Sequence, residues 1–198
     1  RCVAYFISKE KNKEQIVFKT QSGILKSKVL GNKIVETNIG APKFSWKEIP
    51  LKKETDNTNL GITISGRDGI SLTGGYALSV GNPHLIFFVN KIENFDLSKI
   101  GPELEVHPIF PKKCNVTLAE IINNKLIKVK VWERGAGMTK ACGTAACATA
   151  VAAFKKKLVQ DIVDIQFELG VITITIDKNH SIHMKGEVSE IKEIDIKI

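Results

Sequence analysis

The run Trp132-Glu133-Arg134-Gly135-Ala136-Gly137-Met138-Thr139-Lys140-Ala141-Cys142-Gly143-Thr144-Ala145-Ala146-Cys147-Ala148 decides how this chain is read. A strictly alternating segment, Leu126 to Trp132, ends where it begins, and alternation of that kind marks a strand. An acid and a base then stand side by side, followed by two glycines and a cysteine before Gly-Thr. From Cys142 or Gly143 the alanines predict a helix to about Lys157. That helix carries almost no charge before Lys155, so it should be buried on nearly every side. A cysteine at a helix mouth meets free N–H groups and partial positive charge. Both lower a thiol pKa and attract a carboxylate, which points to Cys142 as an acid/base and to Gly143 and Thr144 as a carboxylate cradle.

Working outward, Ile162 to Leu169, Val171 to Ile176 and Ile182 to Glu187 are expected strands. The tail Val188 to Ile198 alternates again at Ile191, Ile194, Ile196 and Ile198. Upstream, Leu85 to Val89 is almost continuously apolar, which suggests a strand buried on both faces. Tyr76 to Val80 precedes it, and Asn115 lies just before a strand over Thr117 to Ile122. Phe95 to Gly101 predicts a short helix with Asp96 near its start. Gly40 to Leu51 is a proline-punctuated loop, and Leu51 to Leu60 is expected to be a mobile surface segment. At the start, Arg1 to Glu10 reads as the end of a helix with Val3, Phe6 and Ile7 on its apolar side. Strands at Gln15–Thr20, Ile24–Leu30 and Lys33–Ile39 follow, joined by turns at Thr20-Gln21-Ser22-Gly23 and Gly31-Asn32. A helix with cysteine and alanine followed by a three-strand meander thus occurs twice, from Arg1 and from Cys142. The repeat predicts an α+β fold of two similar halves, each with strands wrapped on a central helix.

At 198 residues with 43% hydrophobic and 25% charged composition, the chain can bury a sizeable core. No apolar run approaches the roughly 20 residues needed to span a bilayer, so no membrane partner is expected. The net charge of +8 is carried by scattered lysines, with only Lys155-Lys156-Lys157 dense and only Arg67 and Arg134 beyond Arg1. Nucleic acid requires a clustered basic stripe, so none is expected as partner. The four cysteines form no CxxC pair, which argues against structural zinc, and no metal site is expected. Cys2, Cys114 and Cys147 read as small buried hydrophobes.

Ordered segments across the chain resemble diaminopimelate epimerase, a racemase family that uses no pyridoxal phosphate. They are Gly40-Ala41-Pro42-x-Phe44-x-Trp46-x-x-Ile49-Pro50-Leu51, Gly81-Asn82-Pro83-His84, Gly101-Pro102 with Glu105, His107-Pro108, Phe110-Pro111, Asn115, and Glu133-Arg134-Gly135-x-Gly137-x-Thr139-x-Ala141-Cys142-Gly143-Thr144. The resemblance implies two pseudo-symmetric halves, each a curved, mostly antiparallel sheet around a central helix. Residues 1–76 would be the remnant of an incomplete first half, to which the tail 188–198 returns, and residues 77–187 the second half.

It also implies two-base inversion of LL-2,6-diaminopimelate to the meso form without a cofactor, on the way to lysine and peptidoglycan in the bacterial cytoplasm. Cys142 would be one catalytic thiol. Glu133 and His84 would act beside it, His84 by orienting the site or assisting proton transfer. Asn82, Asn115, Glu133, Arg134, Gly143 and Thr144 would bind the substrate, Arg134 taking its distal carboxylate and Glu133 its ammonium. Only Arg1-Cys2 survives of the family's Cys-Gly-Asn-Gly-x-Arg-Cys signature, which places the partner cysteine five residues before Arg1. The 198 residues alone are then expected not to epimerise by the two-base route. Met138 and Ala145 depart from the usual pattern, as does Val116-Thr117-Leu118 after Asn115. A related isomerase acting on another amino acid, or a truncated amino-acid-binding protein, are the alternatives, and a homodimer is left open.

Overall fold

The computed structural model describes residues 1–20, 23–192 and 195. The turn expected at Gln21-Ser22 and the alternation expected at Ile194, Ile196 and Ile198 therefore lie outside the described residues. Helix α1, Cys2–Lys11, ends at Asn12, which takes the left-handed conformation (φ 48°) and returns its N–H to the Ser8 carbonyl. Three strands follow: β1 (Gln15–Thr20), β2 (Gly23–Val29) and β3 (Ile34–Gly40). A separate hairpin pairs β4 (Ile62–Ser65) with β5 (Ser71–Gly74). Then come β6 (Tyr76–Ser79), β7 (Pro83–Phe88), helix α2 (Leu97–Glu105), β8 (Asn115–Asn123), β9 (Leu126–Glu133) and β10 (Gly137–Thr139). Helix α3, Gly143–Lys155, precedes β11 (Ile162–Phe167), β12 (Gly170–Ile176) and β13 (Ile182–Glu187).

One sheet runs β1-β2-β3-β13-β12-β11-β9-β8-β7-β6, with β10 beside β9. Among the described residues only the β9–β11 and β7–β8 pairs are parallel. The α3-side core joins Ile127, Val129 and Val131 of β9 to Ile165, Ile174 and Ile182 of later strands. Strands β6, β7, β8, β11, β12 and β13 contact α3, and every residue from Ala145 to Ala153 is buried. The alanines make this possible, because a thin helix lets a curved sheet close around it on several sides. On the other face of β7 and β8, Leu85, Phe87, Val116 and Leu118 pack against α2, the β4–β5 hairpin and the loop carrying Ile49 and Leu51. The unbroken apolar run of β7 is thus explained by cover on both faces.

Four expectations are corrected. The loop over Leu51–Leu60 is held in place: Leu51 is buried, and Asn57 exchanges bonds with Ala77 through its backbone oxygen (2.7 Å) and its side-chain amide (2.8 Å). Helix α2 starts two residues later than expected and continues past Gly101 to Glu105. Both of its ends are tied, with Asp96 accepting from the Ser98 N–H at the start and Glu105 accepting from the Trp132 indole at the finish. These bonds offset the amide hydrogen bond that Pro102 cannot make. On α1, Val3 is 62% and Phe6 47% exposed, because β1–β3 meet the helix on the side of Ala4, Tyr5 and Ile7. Cys2, on that same first turn, is exposed rather than buried.

Gly101 is where α2 lies flat on the sheet: a Cβ there would sit 2.7 Å from Trp132 Cδ2 and 2.8 Å from Cε3. Because Trp132 is backed by its strand, Gly101→Ala should cost about 1–3 kcal/mol through overpacking. Urea denaturation reads this directly; a stability equal to wild type would contradict the tight contact.

Candidate active site

Strand β9 delivers Glu133 at its last position, and the chain turns at Arg134-Gly135-Ala136 into β10. The Ala136 N–H closes the turn on the Glu133 carbonyl at 3.0 Å. Gly135 takes φ +77°, a conformation that costs glycine little and other residues more. Two side chains from elsewhere hold the turn's next N–H groups. Asn115 Oδ1, at the head of β8, accepts from the Arg134 N–H (3.0 Å), and Glu105 Oε1, at the end of α2, accepts from the Gly135 N–H (3.1 Å).

With the turn fixed, the Cys142 thiol donates to Glu133 Oε2 at 3.1 Å. Cys142 is the N-cap of α3, with extended backbone (φ −145°, ψ 113°) and no capping hydrogen bond from its side chain. The N–H groups of Gly143 and Thr144 therefore start the helix without a side-chain cap. Thr144 Oγ1 lies 3.5 Å from the sulfur and accepts from Asn82 Nδ2 at 3.3 Å. His84 Nε2 is 3.0 Å from Asn82 Oδ1. A chain Cys142–Thr144–Asn82–His84 thus crosses from the helix mouth to β7. Asn115 also donates from Nδ2 to the Pro83 carbonyl (2.9 Å), which ties the β7 end of the site to the Arg134 turn.

The charges depart from expectation. Burial pushes the Cys142 thiol up to about 11; the Thr144 hydroxyl and the Ala145 N–H pull down, while the Glu133 carboxylate adds to the rise. The expectation that the helix mouth lowers this pKa therefore fails, because desolvation and an adjacent carboxylate outweigh the helix N-terminus. At neutral pH Cys142 holds its proton. His84 is fully buried, and burial first, then the Arg134 charge, lowers its pKa to about 3, so the ring is neutral. Its Nδ1 is buried without a hydrogen-bond partner among the described residues, so Nε2 carries the proton and donates to Asn82. Glu105, whose side chain is 9% exposed, is kept ionised chiefly by the Trp132 indole N–H, with the Gly135 N–H and Lys113 adding to it against burial.

All the side chains singled out from the sequence therefore fall at one locus, but in revised relations. Glu133 and Arg134 do not pair with each other: the acid goes to Cys142, and the Arg134 guanidinium donates to the Lys112 carbonyl (3.0 Å) on an exposed surface. Asn115 spends one N–H and its oxygen on backbone groups, which leaves one amide proton for a ligand. Cys114 and Cys147 are buried, as expected. His107 accepts from the Ile109 N–H, and His183 pairs with Asp177, both away from this locus. Glu105 and Trp132 had no role assigned from sequence, since their partners are 27 to 30 residues distant. Among the described residues no group of three His, Cys, Asp or Glu is placed to hold a metal ion, and no helix is long and apolar enough to cross a membrane.

Residues 76–191 match the family described as diaminopimelate epimerase. A diaminopimelate epimerase from Pelagibacter ubique is 62% identical over the whole chain, which spans 72% of that protein. One from Rhodopseudomonas palustris (strain BisB5) is 42% identical over 176 residues, covering 88% of this chain and 60% of the relative. Among solved structures, a Bacillus anthracis phenazine biosynthesis protein of the PhzF family superposes with a TM-score of 0.64 at 14% identity, over 98% of this chain and 73% of its own. A hydroxyproline epimerase from Agrobacterium vitis gives 0.57 at 11% identity, over 93% and 61%. These two share the fold.

Because His84 cannot take a proton in the folded protein until pH falls near 3, while an unfolded histidine titrates near 6.5, its contribution to stability is complete above pH 6.5 and lost on acidification from there toward 3. Between pH 7.5 and 5 this amounts to about 2 kcal/mol. Chemical denaturation across that range should show the loss, and His84→Gln should flatten it; an unchanged slope would contradict the buried neutral ring.

Proposed function

The chain belongs to the diaminopimelate epimerase family, and on that premise we propose that the complete protein interconverts LL- and meso-2,6-diaminopimelate by proton transfer at the α-carbon. The observation that carries the proposal is the protonated Cys142 thiol, hydrogen-bonded to Glu133 at the mouth of α3 beside uncapped N–H groups.

An amino-acid α-hydrogen is very weakly acidic, so the charge that develops on the carboxylate must be met by fixed donors in a dry site. The Gly143 and Thr144 N–H groups suit that carboxylate. A base on one face takes the α-proton, and Cys142 Sγ–H supplies a proton to the other face. One C–H bond breaks and one forms. Cys142 is left as the thiolate and the opposite base as its conjugate acid, so the reverse reaction uses the same groups with roles exchanged. Glu133 serves twice in this reading: it keeps the resting thiol protonated, and it receives the substrate ammonium. Charge neutralised in that way would ease loss of the thiol proton when Cys142 acts as base.

Arg134 is exposed and has donors beyond the one given to Lys112, which suits a bidentate grip on the distal carboxylate. Asn82 and Asn115 direct hydrogen bonds toward the distal stereocentre, and His84 orients Asn82 rather than carrying protons. We read residues 1–76 and 77–187 as parts of two pseudo-symmetric halves. The setting we infer is the bacterial cytoplasm, on the route to lysine and peptidoglycan, with a small-molecule substrate, no nucleic acid, no cofactor, and a homodimer as the assembly to test by light scattering.

In D₂O the complete protein should exchange the α-hydrogen of diaminopimelate for deuterium, and Cys142→Ala should lower epimerisation by about 10²–10⁴-fold, the usual worth of a general acid/base. Arg134→Lys should raise KM more than it lowers kcat. Wild-type turnover by Cys142→Ala, or faster exchange on an amino acid lacking a second zwitterionic end, would overturn the reading.

A further inference from the structure

We propose that Glu105 is a positioning residue that sets where the Glu133 carboxylate and the Arg134 guanidinium stand, through the backbone of the turn that carries them. The proposal rests on the reading of Cys142 and Glu133 as acid/base partners, and it concerns a residue that touches neither substrate nor sulfur.

Glu105 is the last residue of α2, where a carboxylate faces the negative end of the helix dipole. It is also nearly buried. Both features make a carboxylate expensive there unless donors surround it. Three do: the Trp132 indole N–H at 2.7 Å to Oε2, the Gly135 N–H at 3.1 Å to Oε1, and Lys113 Nζ at 3.4 Å to Oε1. Trp132 and Gly135 bracket the Glu133-Arg134 pair on both sides in sequence. One carboxylate therefore grips the residue before the pair and the residue after it, while Asn115 holds the N–H between them. The Cys114 N–H bonds the Glu105 carbonyl at 3.1 Å, which ties the same residue to the segment whose Lys112 carbonyl receives Arg134. A buried carboxylate needs several donors, but nothing in that need requires them to come from the two sides of one turn. Their convergence on the two flanks of Glu133-Arg134 is what assigns a positioning role.

The reading separates from plain stabilisation because its effect must reach a thiol that Glu105 does not touch. Cys142 responds to Glu133 directly, whereas the field of Glu105 falls on Cys114. Groups facing the sulfur are Glu133 from β9, Thr144 and the Ala145 N–H from α3, with Cys147 further along that helix. Removing or displacing Glu133 should ease ionisation of the thiol.

The experiment follows alkylation of the Cys142 peptide by iodoacetamide against pH in the full-length protein, with mass spectrometry to separate it from Cys2. Glu133→Gln sets the reference by moving the alkylation midpoint to lower pH. Glu105→Asp keeps the charge but shortens the reach by one methylene, so it cannot span both donors. It should move the midpoint in the same direction by a smaller amount and lower kcat by on the order of 10- to 100-fold, the scale of an ångström's misplacement. Glu105→Gln, which turns one acceptor into a donor facing a donor, should do the same more strongly; if it does not fold, the aspartate variant decides. A normal midpoint and kcat in Glu105→Asp, with only the melting temperature lowered, would overturn the positioning role. A Glu133→Gln midpoint equal to wild type would instead overturn the acid/base pairing on which it stands, and because alkylation needs no substrate the two failures are distinct.

Discussion

A thiol buried against a carboxylate keeps its proton, and the rest of the site is arranged around that fact. Cys142 sits where a helix N-terminus would favour a thiolate, yet burial and Glu133 hold it as a donor near pKa 11. The opposition is useful chemistry. A group poised between two strong and opposite influences changes protonation when one is withdrawn, and a substrate ammonium reaching Glu133 withdraws one of them.

The fold supplies this arrangement through a narrow helix and a fixed turn. Alanines from Ala145 to Ala153 let strands β6, β7, β8, β11, β12 and β13 close around α3, while its mouth meets Glu133 at the end of β9 and Asn82 just before β7. The turn after β9 is then pinned from outside, by Asn115 on β8 and by Glu105 on α2. Helix α2 reaches it because Gly101 lets the helix lie on the Trp132 ring. A packing detail on one face of the sheet thereby sets the position of an acid on the other.

Much of this was legible in the sequence. The alternation of Leu126–Trp132, the apolar run of Leu85–Val89 and the alanines after Cys142 each carry their own periodicity, so β9, β7 and α3 could be read locally. Cys142, Glu133, Asn82, His84, Asn115 and Arg134 were singled out and do fall together. What could not be read depends on distant partners. The run of α2 past Gly101 to Glu105 is one case, because the Glu105–Trp132 bond that ties its end spans 27 residues. Val3 and Phe6 looked like a buried stripe because periodicity gives a face but not the side that meets the strands. The Cys142 pKa departs from expectation for the same reason: a helix N-terminus is written in sequence, and desolvation is not.

The central claim is that Cys142 faces the reacting carbon while the mouth of α3 holds the carboxylate. Its most direct test is a crystal structure of the full-length protein, carrying Cys142→Ala, with diaminopimelate bound. The account predicts carboxylate oxygens about 2.7–3.2 Å from the Gly143 and Thr144 nitrogens, the α-carbon facing the residue 142 side chain, and the distal carboxylate on Arg134. A substrate seated with its α-carbon turned away from residue 142, or with its carboxylate off the helix mouth, would contradict it.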